Sequence, residues 1–294
     1  KPLRHIFVED GAQWFHHLFI SKDGPKNVRV EEARRRVLDT FVEPLLSTAV
    51  EGVTYRICQG NHFLFYDSKV AQCLGDTVEL LDRYPFAHRS KQIYSAEGPR
   101  GLWNTAENFR RFREAGWDPH KAIIERLHEA GKKVFIKTRI NDGHVGARRL
   151  WFDYAGSRAR GTDDFLSHPE LMLGYLDQRN VSGGFSLASD FCLEEVRNRR
   201  LAEIEEICER YDLDGLEINF CRSYHLFKQN QIDQGRELLT DFFRQMRRIL
   251  DRIGDERGQR LQAIVRFHVA CGTERGYQDM EYEEGADIIR WMRE

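Results

Sequence analysis

The chain has 294 residues, 45 of them basic and 47 acidic, for a formal charge of −2; 41% are hydrophobic and 31% charged. That balance offers no basic surface for nucleic acid or an anionic membrane, so neither is expected as a partner, and the hydrophobic fraction supports a sizeable core. No apolar run approaches the ~20 residues of a membrane span. The chain opens at Lys1 without an initiator Met, which leaves room for a removed leader and a secreted or periplasmic location. Six scattered cysteines form no CxxC pair, and buried free thiols are the expectation.

Leu3 to Val8 reads as a buried strand ending in Glu9-Asp10-Gly11, which is either a site or a solvated turn. Trp14 follows within an aromatic cluster. Val30 to Leu46 is amphipathic, with Val30, Ala33, Val37, Leu38, Phe41 and Leu45 on one stripe. Val53 to Cys58 is a second strand, and it runs into Gln59-Gly60-Asn61-His62. Residues 62–116, which carry Trp103, form a long connection of the kind that is usually a functional loop or an insertion. A second helix has clear end signals: Asp118 as N-cap, Pro119 in the first turn and Gly131 as the stop.

Lys133 to Thr138 is the third strand. Its end, Arg139-Ile140-Asn141-Asp142-Gly143-His144, is the most polar in the chain. After another long connection comes a helix with the stripe Val196, Leu201, Ile204, Ile207 and Cys208. The fourth strand lies in Tyr211 to Arg222, where Leu213, Leu216, Ile218 and Phe220 are interrupted by Glu217 and Asn219. A spacing of two sends both polar side chains to one face. An unpaired carboxylate is expensive to bury, so Glu217 is either functional or held by an Arg or by backbone donors. A helix over Gly235 to Gly254, a strand over Leu261 to His268 and a helix over Glu283 to Arg293 complete the pattern.

Strands alternating with helices imply right-handed crossovers and a parallel sheet. No Gly-rich dinucleotide fingerprint follows the first strand and there is no P-loop, which argues against nucleotide-binding doubly wound folds. Polar residues at five strand ends suit an α/β fold of the (β/α)8 barrel type, whose chemistry sits at the C-terminal ends of the strands. Five units are visible where a closed barrel has eight. The expectation is one barrel domain over 1–294 that is incomplete in this chain, with a further C-terminal segment or a partner chain closing it.

The strand ends, in their order, resemble the bacterial family-ten-like glycosylhydrolases. The stretches that carry this are Gln59-Gly60-Asn61, Gly131 to His144, Ser186 to Val196 and above all Asp212 to Arg222. The resemblance implies a barrel that hydrolyses O-glycosidic bonds in an oligo- or polysaccharide, without a cofactor. One departure is Asn219, where that family often has an acid. The same stretch looks like the chitinase-type motif of acids at every second residue, through Asp214, Glu217, Asn219 and Cys221. Its last position, the catalytic acid there, is a thiol here, so a chitinase mechanism is disfavoured.

Glycoside hydrolysis commonly uses two carboxyl groups. Glu217 is the candidate general acid, and Asp142 is the candidate second carboxylate, with Asp10 as an alternative. Gln59, Asn61, Arg139, Asn141, His144, Asn219, Arg222, Arg266 and His268 are candidates to bind sugar hydroxyls or to fix the acids. Trp103 and Tyr224 are candidates to stack on sugar faces, against the plainer role of packing. Two other classes stay open. Asp10, Asp142, His144, Glu217 and His268 are metal-ligand types, although no HxH or HExxH pair is present and no metal is expected. A carbohydrate-binding barrel without catalysis is the other.

Overall fold

The computed structural model describes residues 3–9, 30–59, 63–71, 73, 108–139, 141, 169–173, 188–220, 226–267 and 285–293. Five parallel strands form its sheet: β1 (Ile6–Val8), β2 (Gly52–Arg56), then β5 (Lys133–Arg139), β6 (Gly215–Asn219) and β7 (Gln262–Arg266). Between β2 and β5 the short pair β3 (Cys58–Gln59) and β4 (Phe63–Leu64) makes a separate antiparallel ladder. The main sheet is ordered β1-β2-β5-β6-β7, each strand beside the next one made, and every pairing is parallel.

A helix lies in every crossover. α1 (Val30–Val37) joins β1 to β2, α2 (Pro119–Glu129) joins β2 to β5, α3 (Glu194–Arg210) joins β5 to β6, and α4 (Ile232–Arg257) joins β6 to β7. The helix α5 (Ile288–Arg293) follows β7. Right-handed crossovers between strands that always advance in one direction place every helix on the same face. A doubly wound sheet would reverse direction and take helices on both faces. Side chains at alternate strand positions confirm the one-sided arrangement. Val53, Tyr55, Val134, Ile136, Leu216 and Ile218 belong to one core with Val37, Phe41, Ile123, Leu127, Ile204 and Phe242 of the helices. The opposite face carries Thr54, Lys137, Glu217 and Asn219, all buried. This is the arrangement of a (β/α)8 barrel, with five of its strands described.

Local sequence explains where the elements depart from expectation. The first strand, expected to be buried, leaves Ile6 40% and Phe7 38% exposed, because β1 lies at the edge of the described sheet and pairs only with β2. The helix over Val30 to Leu46 is interrupted by a π-helical turn at Leu38–Val42 before Glu43–Leu46. Pro44 has no N–H to offer the preceding turn, and the ladder widens just ahead of it. The fourth helix runs past Gly254 to Arg257 and is closed instead by Gly258 in the left-handed region, φ +66°. Gly215 opens β6 for a steric reason: a Cβ there would stand 2.1 Å from the Gln262 carbonyl oxygen. The close approach of β6 to β7 depends on it.

Asp118 caps α2 as expected, accepting from the backbone N–H of His120 at 3.0 Å and of Lys121 at 3.3 Å. His120 is fully buried. Its ring stacks on Tyr55 and Phe109, and Nε2 lies 3.0 Å from the Phe65 carbonyl. Burial pushes its pKa down to about 4. Among the described cysteines, Cys58, Cys73 and Cys208 are buried free thiols and Cys192 is a partly exposed one.

Candidate functional site

β6 delivers the site. All five of its residues are buried; Leu216 and Ile218 face the helices, so Glu217 and Asn219 face inward. Strand register then sets their neighbours. Arg56, Lys137, Glu217 and Ile264 form one row across the sheet, and Arg139, Asn219 and Arg266 form the next row toward the C-terminal ends. Below them, Thr54, Phe135 and Gly215 make a smaller, less polar row. The inner face therefore changes from apolar to strongly polar over two rows, at the end where barrel chemistry takes place.

Glu217 is 0% exposed. The Thr54 hydroxyl donates to its Oε2 at 2.8 Å. Arg266 lies alongside: Nε is 2.7 Å from Oε1, and Nη2 donates to Oε2 at 3.4 Å. The Nε–H does not point along the short contact, and Oε1 receives no directed hydrogen bond. Arg266 can only donate, whereas the Thr54 hydroxyl can donate or accept. Lys137, also 0% exposed, crosses the inner face to donate to the Glu9 carbonyl at 2.7 Å.

The sequence candidates fall into three groups. Glu217, Asn219, Arg139 and Arg266 converge on the two polar rows. Asn141 is buried just beyond β5, but its amide is engaged with Ser189: Nδ2 donates to the Ser189 carbonyl at 2.9 Å and Oδ1 accepts from Ser189 N–H at 2.8 Å. It ties the end of β5 to the turn that precedes α3. Asp10, Asn61, Trp103, Asp142, His144, Arg222, Tyr224 and His268 lie outside the described residues, as does the side chain of Gln59. Thr54, Arg56 and Lys137 were not singled out by the sequence reading. The available signal was their alternation with Val53, Tyr55 and Ile136, which places them on the face opposite the helices.

A second ionic cluster lies at the other end of the same strand. Asp214 accepts from Lys133 Nζ at 2.5 Å, from His128 Nε2 at 3.0 Å and from the Val134 N–H at 2.8 Å. Burial alone would raise its carboxyl, but these three donors outweigh it and hold the group below its ordinary range. His128 is raised in turn, chiefly by the hydrogen bond to Asp214, with Asp212 adding attraction from 3.7 Å. Among the described residues, no three His, Cys, Asp or Glu side chains approach closely enough to hold a metal ion. No described helix is long and apolar enough to cross a membrane.

No protein-family model matches the chain, and no curated sequence matches it. Solved structures similar to it include α-L-fucosidase isoenzyme 2 from Paenibacillus thiaminolyticus, at 14% identity and a TM-score of 0.45 over 96% of this chain and 35% of that one. A noncanonic maltogenic α-amylase, AmyB from Thermotoga neapolitana, is 16% identical with a TM-score of 0.39, over 93% of this chain and 47% of that one. The galactosidase domain of the α-galactosidase-sucrose kinase AgaSK is 18% identical with a TM-score of 0.32, over 51% of this chain and 18% of that one. The chain thus spans less than half the length of each of these proteins.

Proposed function

We propose that the chain acts on glycosidic bonds at the C-terminal ends of its strands, with Glu217 and Asp142 as the two carboxylates. The observation that supports this reading best is the enclosed Glu217 carboxylate on the helix-free face, ringed by Thr54, Lys137, Arg139, Asn219 and Arg266. Hydrolysis of a glycoside asks one carboxyl to give a proton and the other to stay ionised, either to attack the sugar or to activate water. Glu217 and Asp142 divide these parts between them, Glu217 as the candidate general acid and Asp142 as the second carboxylate. Arg139 and Asn219 supply donors and acceptors for sugar hydroxyls, and Trp103 and Tyr224 supply stacking faces. A family-ten-like glycosylhydrolase is the finer form of this reading.

The test is turnover of a panel of aryl glycosides by the full chain and by Glu217→Gln. The substitution keeps the shape and removes the charge, and a loss on the order of 10²–10⁴ in turnover with the fold retained is expected. Full activity in the variant would remove Glu217 from the reaction. The same enclosure favours a second reading, a carbohydrate-binding barrel in which Glu217 holds Arg266 in place. Oligosaccharide binding without turnover, undiminished by Glu217→Gln, would select it.

A further inference from the structure

We infer that the carbohydrate taken by this site is acidic, and that Arg266 receives its anionic group. This rests on the carbohydrate reading above but not on catalysis. A guanidinium carries five N–H donors arranged in two forks. In Arg266 the edge formed by Nε and Nη2 lies against Glu217 at 2.7 and 3.4 Å, and Nη2 makes the directed hydrogen bond there. The second fork, formed by Nη1 and the remaining hydrogen of Nη2, makes no hydrogen bond to the described residues. Yet the side chain is 35% exposed, whereas Glu217 beneath it is fully enclosed. One edge is thus held against a buried carboxylate, while the side chain as a whole still reaches solvent.

That geometry suits a planar or tetrahedral oxyanion, which takes two parallel N–H···O bonds from such a fork. A neutral sugar hydroxyl would use one donor and waste the pairing. Glu217, oriented by Thr54, has already restricted the Arg266 side chain, so little rotamer freedom remains to be lost on binding. The shared chemistry is an oxyanion carried on a sugar, either the carboxylate of a uronic acid or a sulfate ester.

The experiment is calorimetric titration of the full chain with tri-galacturonate, with its fully methyl-esterified form, and with a sulfated neutral trisaccharide. Esterification removes the charge without touching the protein. Tri-galacturonate is expected to bind on the order of 10–100-fold more tightly than its ester, the range of a hydrogen-bonded charged contact. Arg266→Gln leaves a buried carboxylate without its cation, so the paired variant Arg266→Gln/Glu217→Gln, which removes both charges, serves where the single one fails to fold. In either variant the preference for the acid over the ester should vanish. Arg266→Lys should keep part of it, having charge but no fork. Tighter binding of the sulfated sugar than of the uronate supports the inference with sulfate as the source of the anion. Equal affinity for acid and ester, or no binding of any of the three, overturns it. Acid-selective binding without turnover leaves it standing and defeats the hydrolase. Turnover of neutral glycosides with no acid preference does the reverse.

Discussion

Asp214, just before β6, and Glu217 within it stand three residues apart, both buried and both held by a cation, and their surroundings assign them different work. Asp214 lies at the N-terminal end of β6 and collects three donors: His128, Lys133 and the Val134 N–H. All three reach its carboxylate from α2 or β5, so the side chain fastens one βα unit to the next. Glu217 lies in the middle of β6 with fewer donors, one oxygen without a directed hydrogen bond, and a cation that still reaches solvent. A carboxylate kept for packing acquires partners until it is saturated. One left incompletely satisfied inside a polar row is where chemistry or recognition is to be sought.

The sharpest way to separate the two is to neutralise each. Glu217→Gln should lower turnover by on the order of 10²–10⁴ at little cost in stability, as argued above. Asp214→Asn should leave the turnover of folded protein unchanged and lower stability by about 1–3 kcal/mol, since His128 and Lys133 lose their acceptor charge. Urea unfolding and initial rates on the same samples distinguish these outcomes. A catalytic loss in Asp214→Asn would break the comparison.

Removing the cations tests the same contrast from the other side. Arg266→Met leaves a fully enclosed carboxylate without its cation and should cost ~3 kcal/mol, the low end for a buried pair because Arg266 is partly exposed. Lys133 is 55% exposed, and Lys133→Met should cost no more than ~1 kcal/mol. Between them falls Thr54→Val, which deletes the hydroxyl donor to Glu217 while keeping the shape. It should cost ~1.5 kcal/mol by chemical denaturation, and Thr54→Ser should recover most of that.

pH probes the same helix from another side, and two histidines of α2 should act in opposite directions. His128 is raised in the folded chain, so its contribution is fully present below the ordinary histidine value of about 6.5 and is lost as pH rises through the folded value. His120 is lowered to about 4, so its contribution is complete above about 6.5 and drains away as pH falls toward about 4. Denaturation midpoints measured across pH should lose their alkaline limb in His128→Asn and their acid limb in His120→Asn. A His128 variant altering only the acid limb would undo the assignment at Asp214.

Much of this arrangement was legible from residue types alone. The alternation of Leu216, Ile218 and Phe220 with Glu217 and Asn219 specified both the strand and the direction of its polar side chains, because a pleat of period two leaves no other choice. The Asp118-Pro119 start of α2 was equally plain, since the cap and the missing N–H act within four residues. What could not be read was pairing across distance. Nothing local to Thr54 says that it will meet a residue 163 positions away. Arg266 was expected to bind substrate or fix an acid, but its seat beside Glu217 follows only once β6 and β7 are in register. The π-helical turn after α1 and the exposure of β1 likewise depend on Pro44 geometry and on a place at the edge of the described sheet, which a hydrophobic stripe does not encode.

The sequential order of the strands also bears on how the sheet is assembled during synthesis. Gly52 follows its partner Ile6 by 46 positions and Gln262 follows Gly215 by 47, whereas Lys133 follows Gly52 by 81. Going from the shorter separation to the longer is less than a doubling, which adds under ~0.6 kcal/mol of closure entropy. Long connections between strands therefore hardly weaken the finished sheet. Their cost is in time, since distant pairings must be found before they are rewarded. As the chain leaves the ribosome, β6 and β7 can meet soon after both exist, while the seam between β2 and β5 waits for a much longer stretch to emerge. Thr54 and Arg266 approach Glu217 from opposite sides of β6, so the carboxylate is clamped only after both flanks have formed.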